Sequence, residues 1–401
     1  MSSILGRTSR RAALPLILAL ASGCGVTLGP RLDDTELGPL GRRLRLSRAE
    51  VEALEPALRD ELRADPHHYF RYVARRMASL ECDVGTLGPL VNLHGDAHVE
   101  QYLVTSLGRG LGDFDEATLG PVGIDLLRLA TSLQIASRSR RWDANALWAR
   151  FLAGYLAALD EPSVEAPEPA WAARVRASFR RDHRRLLAWA DTLFLPVDAE
   201  TGARLELAME TYSDQLARRD GGRDRRQFEV VRVGRHRLGV GSRATTNYLV
   251  RARGPTEAPE DDLIVEAKAV TENPEAWCLP YTGRPDPLRI LVAATRLSDA
   301  PFREMGAVEL NGQPYWLHEW VDDYVELEVE DASVTEPEML EILYDVGVQL
   351  GRGHPRNVAA PYDEQLRDQL RDYLVHQAAA LWLTGARLAE ATWAAWRASF
   401  A

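Results

Sequence analysis

The chain of 401 residues contains a single lysine, Lys268, among its 48 basic residues; all the others are arginine. Cysteine is almost as scarce. With only three, the chain is no disulfide-built scaffold, and once Cys24 is set aside, Cys82 and Cys278 make no framework. These two are read as unpaired thiols, with pairing open in an oxidising compartment. No stretch approaches the roughly 18 uninterrupted apolar residues of a membrane-spanning helix, so any attachment to a membrane would be by lipid. Positive charge is outweighed as well. The net charge of -11 excludes a general nucleic-acid binder, and the clusters RRDHRR (180 to 185) and RRDGGRDRR (218 to 226) read as a solvated helix face and a charged linker.

What is present starts with a segment of different character. MSSILGRTSRRAALPLILALASGCG has a basic start at Arg7, Arg10 and Arg11, a short apolar run from Ala12 to Ala21, and then Ser22-Gly23-Cys24. It resembles a bacterial lipoprotein signal in which Cys24 becomes the lipidated first residue, and Ser9-Arg10-Arg11 weakly resembles a twin-arginine signal. The expectation is an exported protein, lipid-anchored on the periplasmic side of the cell envelope. A mis-assigned start, and with it a cytoplasmic protein, is the alternative.

The rest is ordinary globular material, 46% hydrophobic and 27% charged, enough for one large domain or two lobes. Residues 48 to 80 read as helices broken at Asp65-Pro66. Short strands follow. VNL leads into His94-Gly95-Asp96, and YLVTS and LGDFD flank the turn Leu107-Gly108-Arg109-Gly110 as a hairpin that folds Asp113 back towards Asp96. From Ile124 to about Arg219 the pattern is helical. Residues 227 to 270 switch to period two and predict three antiparallel strands. A helix at 286 to 298, a hairpin turning at Asn311-Gly312, and helices from about Glu336 to Phe400 complete the chain. The expected divisions are a signal over 1–24, a helical lobe with the catalytic-loop motifs over 25–225, a sheet lobe over 226–325, and returning C-terminal helices over 326–401.

Asp96 on a loop, the amide of Gln101 and Asp113 beyond a hairpin can converge on one spot. Two carboxylates and an amide oxygen are the hard ligands and base that magnesium-assisted phosphoryl transfer requires. The turn Gly239-Val240-Gly241-Ser242 lets backbone N–H groups approach phosphates, and Lys268, in the apolar run LIVEAKA, offers a compact ammonium for the same purpose. The plainer alternatives stay open. Asp96 and Asp113 would cap turns, the glycines would serve only a tight turn, and Lys268 would be a gatekeeper on an edge strand.

As a set, HGDAHVEQY, LGDFDEATLGPVGIDLLRLATSL, RLGVGSRATTNYLV, LIVEAKA and LGRGH resemble the bacterial family catalogued as domain of unknown function 2252, from about residue 60 to the C-terminus. The parts also resemble the site of protein kinases and aminoglycoside phosphotransferases, in another order: here the glycine turn and the lysine follow the catalytic aspartate. The resemblance implies an α+β, two-lobed protein-kinase-like fold, circularly permuted. The helix ending at Leu350-Gly351-Arg352-Gly353-His354 would, in an unpermuted chain, lead straight into the catalytic loop. By the same resemblance Asp96 is the catalytic base, flanked by His94 and His98. Gln101 and Asp113 are magnesium ligands assisted by Asp115, and Lys268 with Gly239, Gly241 and Ser242 holds the phosphates of ATP or another nucleotide. Asp125 is expected to cap the helix that follows it and to support the site.

Two positions depart from that pattern. Gln101 stands where the family has asparagine, and no acidic residue within PLRILVAATRL is available to partner Lys268, leaving Glu266, Glu272 or Glu304 for that place. The expected function is nucleotide- and magnesium-dependent phosphotransfer to an unknown small-molecule or protein acceptor. A catalytically inactive binding protein of the cell envelope is the alternative, and an exported protein would face little ATP. A metal-dependent hydrolase built on His94, Asp96 and His98 is a third reading, which does not need Lys268.

Overall fold

The computed structural model describes residues 37–85, 87–220, 226–236, 246–280, 284–297 and 302–401. Cys24, Gly239, Gly241 and Ser242 lie outside the described residues. Among the described residues the architecture is α+β, with three antiparallel sheets packed among helices.

The largest sheet has five strands: β5 (Val230–His236), β6 (Asn247–Ala252), β7 (Leu263–Ala269), β8 (Arg303–Leu310) and β9 (Gln313–Glu319), in the order β5-β6-β7-β9-β8. Period-two patterning sorts the side chains of β7 onto two faces. Val265 and Ala267 pack with Val250, Leu317 and Met209, Tyr212 and Leu216 of the helix Ala199–Asp220. Ile264 joins Leu249, Leu187, Ala190 and Phe194 on the opposite face, and Glu266 and Lys268 follow it there by alternation. The β8–β9 turn falls at Asn311 and Gly312, with φ of 55° and 76°, the left-handed geometry that a two-residue primed turn requires. Because the helix Ala199–Asp220 covers this sheet, its packing crosses the division expected at 225/226.

The helical body holds the larger core and two small sheets. β1 (Leu90–Leu93) pairs with β4 (Thr118–Pro121). β2 (Tyr102–Thr105) pairs with β3 (Arg109–Leu111) on one side and with β10 (Tyr324–Glu326) on the other, so the chain leaving β9 returns directly to the body. Asp65 accepts from the N–H groups of His67 and His68, which starts the helix Pro66–Tyr72 at the Asp-Pro break. The helices Ala144–Asp160 and Glu336–Gly353 meet backbone to backbone. A Cβ at Gly154 would lie 2.2 Å from the Tyr344 carbonyl oxygen, and one at Gly347 would lie 2.2 Å from that of Phe151. Larger side chains there would force the helices apart.

Two expectations are corrected here. Cys82 and Cys278 form a disulfide with their Cα atoms 5.5 Å apart. Their separation of 196 residues carries no information about distance. Proximity arises because the loop after β7 lies on the helix Ala74–Val84, where Asn273 donates to the Arg75 carbonyl and Trp277 Nε1 donates to Asp83. β7 is also the central strand of its sheet, which removes the edge-strand reading of Lys268. Among the described residues, no helix is long and apolar enough to cross a membrane.

Candidate functional site

Lys268 reaches from the sheet to the helical body. Its Nζ lies 2.7 Å from Asp113 Oδ1 and 2.6 Å from Asp115 Oδ2. The hairpin β2–β3 delivers Asp113: the Gly112 N–H donates to the Gln101 carbonyl and the Gly112 carbonyl faces His94 Nε2 at 2.8 Å, after which Asp113 turns with a left-handed φ of 53°. Asp115 is oriented by Trp316 Nε1, which donates to its Oδ1 at 2.7 Å. Trp316 stands opposite Lys268 in the β7–β9 register, and the ammonium lies 5.5 Å from the centre of its ring. Burial pushes both carboxyls up. At Asp113 the charge of Lys268 outweighs that penalty and brings the carboxyl down to about 2, whereas Asp115, beside an ionised neighbour, is pushed up to about 7.

A cavity of about 710 Å³ opens over this triad between the sheet and the body. Lys268, Asp113, Asp115, Arg71, Trp316 and Trp320 are among its walls. Glu266 faces it too, but its carboxylate lies 3.0 Å from His236 Nε2 and 3.4 Å from His318 Nε2 and accepts from Trp320 Nε1 at 2.8 Å. Glu304 lies 3.2 Å from Arg219. Among the described residues, the direct carboxylate partners of Lys268 are Asp113 and Asp115.

Asp96 belongs to a second, deeper triad. Gly95 has a φ of 82°, and a Cβ there would lie 2.1 Å from the Glu116 carbonyl oxygen, so glycine is required at this turn. Arg128 closes on one oxygen of Asp96, with Nε and Nη2 at 2.7 and 2.6 Å from Oδ1, while its Nη1 lies 3.3 Å from Glu81. Asp96 Oδ2 is left 3.8 Å from His98 Nε2, beyond hydrogen-bond range. Burial raises the Glu81 carboxyl to about 7 even with Arg128 beside it. Burial also drives His98 well below the ordinary histidine range, as does the nearby Arg71 charge, so the ring is neutral.

Asp125 does not cap its helix. It accepts from the N–H groups of His94 at 2.7 Å and Gly95 at 2.8 Å, and lies 3.2 Å from His354 Nε2. This clamp fixes the His-Gly-Asp turn. Gln101 is buried, its side-chain Nε2 has no hydrogen-bond partner among the described residues, and it is not among the described residues of the cavity wall. Asp96, His94 and His98 are likewise absent from that wall. The structure thus brings Lys268, Asp113 and Asp115 together at the cavity and sets Asp96 and Gln101 behind it. Reading the sequence alone missed Arg71, Glu81, Arg128 and Trp316. An arginine inside the apolar run GIDLLRLA was the available signal for Arg128.

Among the described residues, no group of three or more His, Cys, Asp or Glu side chains is arranged to hold a metal ion. Asp113 and Asp115 nevertheless offer two hard carboxylates at the cavity wall, a donor set that suits magnesium completed by water and phosphate.

The family profile described as an uncharacterized protein conserved in bacteria, domain of unknown function 2252, matches residues 50–184 and 174–398. The chain belongs to this family. No curated protein and no solved structure matches it.

Proposed function

We propose that the chain is a nucleotide- and magnesium-dependent phosphotransferase with a circularly permuted, kinase-like fold and an acceptor still to be identified. The carrying observation is the cavity-facing triad in which the only lysine bridges Asp113 and Asp115. A single ammonium on a flexible stem can exchange carboxylates for phosphate oxygens without rebuilding its surroundings. Asp113 and Asp115 would then hold magnesium, which supplies neutralising charge at the phosphate oxygens. Asp96 would serve as the base through Oδ2, the oxygen that Arg128 leaves free. The permutation is supported by Asn92, whose side-chain amide donates to the carbonyls of Gly353, His354 and Arg356, each at 3.0 Å. The end of that helix therefore abuts the strand that runs into His94-Gly95-Asp96.

Export and lipidation at Cys24 belong to the same reading. The Cys82–Cys278 bridge favours them, because disulfides persist in oxidising compartments. A Cys24→Ala chain expressed in a bacterium should lose fatty-acid labelling; retained labelling would remove the anchor.

A second reading, an inactive nucleotide-binding protein, is favoured by Asp96 and Gln101 standing behind the cavity wall. Thermal unfolding with and without ATP and magnesium tests both. A ligand at 100 times its dissociation constant adds about 2.7 kcal/mol. A shift accompanied by slow release of phosphate from ATP supports the phosphotransferase, a shift without turnover supports the binding protein, and no shift discards both.

A further inference from the structure

We infer that Arg71 is a second ligand-binding cation of the cavity and forms, with Lys268, a subsite for the oxygens of a polyphosphate chain. The inference rests on the phosphate reading of Lys268. Arg71 comes from the helix Pro66–Tyr72, far from β7 in sequence, yet it lines the same cavity as Lys268 and Asp113. Its side chain is 21% exposed. The two cations thus approach one space from the helical body and from the sheet.

The support beneath Arg71 is built for a fixed charge. Glu100 is 2% exposed, and its Oε2 lies 3.1 Å from Arg71 Nη1 and 3.0 Å from His67 Nδ1. Its Oε1 accepts from the Val329 N–H at 2.8 Å. His67 is held in turn by Ser132, whose Oγ lies 2.9 Å from Nε2. Although burial opposes it, its interactions with His67 and Arg71 and the Val329 N–H keep the Glu100 carboxyl far below the usual carboxylate range.

A guanidinium carries five N–H donors in a planar fork. Among the described residues, the only side-chain hydrogen bond of Arg71 is the one from Nη1 to Glu100. Both oxygens of Glu100 have neighbours besides Arg71, so neutralising Glu100 does not occupy the fork. The remaining donors are left for a ligand in the cavity. Glu266, Glu319 and Glu326 line the same space, and so do Arg180 and Arg185, which are exposed, whereas Arg71 is held against the buried Glu100. A fixed guanidinium from the helical body and an ammonium from the sheet suit a ligand whose oxyanions are spread along a chain better than a lone carboxylate.

The test is calorimetric titration of the full chain with inorganic tripolyphosphate and, separately, with ATP, in wild type, Arg71→Met and Arg71→Lys. Loss of charge-assisted hydrogen bonds should weaken tripolyphosphate binding by at least about tenfold in Arg71→Met. Arg71→Lys, which keeps a charge opposite Glu100 but loses the fork, should bind several-fold more weakly than wild type and melt at nearly the same temperature. Should Arg71→Met fail to fold, the lysine variant decides. Wild-type affinity for tripolyphosphate in either folded variant overturns the subsite. Full-strength ATP binding in Arg71→Met overturns it while leaving the nucleotide reading intact. Arg71-dependent capture of tripolyphosphate without any binding of ATP leaves the subsite standing and removes the nucleotide.

Discussion

Two cations in this molecule each stand between two carboxylates, one in the sheet and one in the helical body. Lys268 bridges Asp113 and Asp115 at the cavity, where the aspartate side chains are 41% and 37% exposed. Arg128 bridges Asp96 and Glu81 in the interior, where the arginine is 2% exposed and Glu81 is fully buried. The charge count is the same and the residue is not. Arginine's rigid fork, stacked 4.7 Å over Phe70, spends two N–H groups on a single oxygen of Asp96 and cannot be displaced without leaving buried charge behind. Lysine makes point contacts on a flexible stem. A chain that relies on arginine everywhere else keeps its single lysine at the triad that faces the cavity. The Cys82–Cys278 bridge couples the two regions, since Cys82 follows Glu81 directly and Cys278 lies on the loop after the Lys268 strand.

The largest effect is expected from breaking that coupling. Reduction opens a loop of 196 residues, and chain entropy alone sets an upper loss of about 5 kcal/mol. Urea unfolding with and without reductant measures it. A Cys82→Ser, Cys278→Ser chain should be as unstable as the reduced wild type and indifferent to reductant, and an indifferent wild type would mean that the bridge contributes nothing.

Next comes Arg128→Met, which strands Asp96 and Glu81 in the interior. A loss of about 3 to 5 kcal/mol is expected, against roughly 1 kcal/mol or less for Lys268→Met, because water reaches Asp113 and Asp115. Equal losses in urea midpoints would erase the distinction between the two triads. Binding should show the reverse ranking. Lys268→Arg is expected to weaken ATP binding by at least about tenfold while leaving the melting temperature nearly unchanged, and wild-type affinity in that variant would end the phosphate role of the lysine.

The smallest effect is a pH slope. The carboxyl of Glu81 is raised from 4.5 to about 7 in the fold. The folded state therefore holds this proton more tightly than the unfolded chain, and the stability it contributes is complete below about pH 4.5 and lost as pH rises towards 7. Asp115 acts in the same direction. Asp113, lowered to about 2, acts in the opposite sense, and its contribution is lost only in acid below its ordinary value of 3.8. Relative to wild type, Glu81→Gln should gain stability as pH rises from 5 to 8. Parallel curves for the two proteins would assign the slope to other groups.

Local signals made much of the fold legible. Period two over 227 to 270, Asn311-Gly312 and the Asp-Pro break each located an element, because each is decided by neighbours in sequence. The triad at Lys268 was partly legible for a different reason: a lone lysine in an apolar strand stands out from a background of arginine. What stayed hidden depends on distant contacts. Arg71 looked like one of several arginines on an amphipathic helix, and only Glu100 and the cavity distinguish it. Asp125 has the position of a helix cap, yet its carboxylate turns to a loop about thirty residues upstream. The Cys82–Cys278 pairing, β2–β10 and the Asn92 clamp are all invisible to any window of a dozen residues.

The Asn92 clamp has a consequence for the order in which the molecule is completed on the ribosome. The strand that precedes the His-Gly-Asp turn is made early, but its side-chain amide is satisfied only by carbonyls of residues 353, 354 and 356. The helix Ala144–Asp160 likewise waits for its glycine-faced partner Glu336–Gly353, and one edge of β2 waits for Tyr324–Glu326. The Asn92 clamp therefore waits for residue 356 and the helical body for Ser399, although the five-stranded sheet is already complete once Glu319 has emerged. During synthesis the sheet is finished before the body that flanks it in sequence on both sides, which is closed last by the helix Tyr362–Ser399.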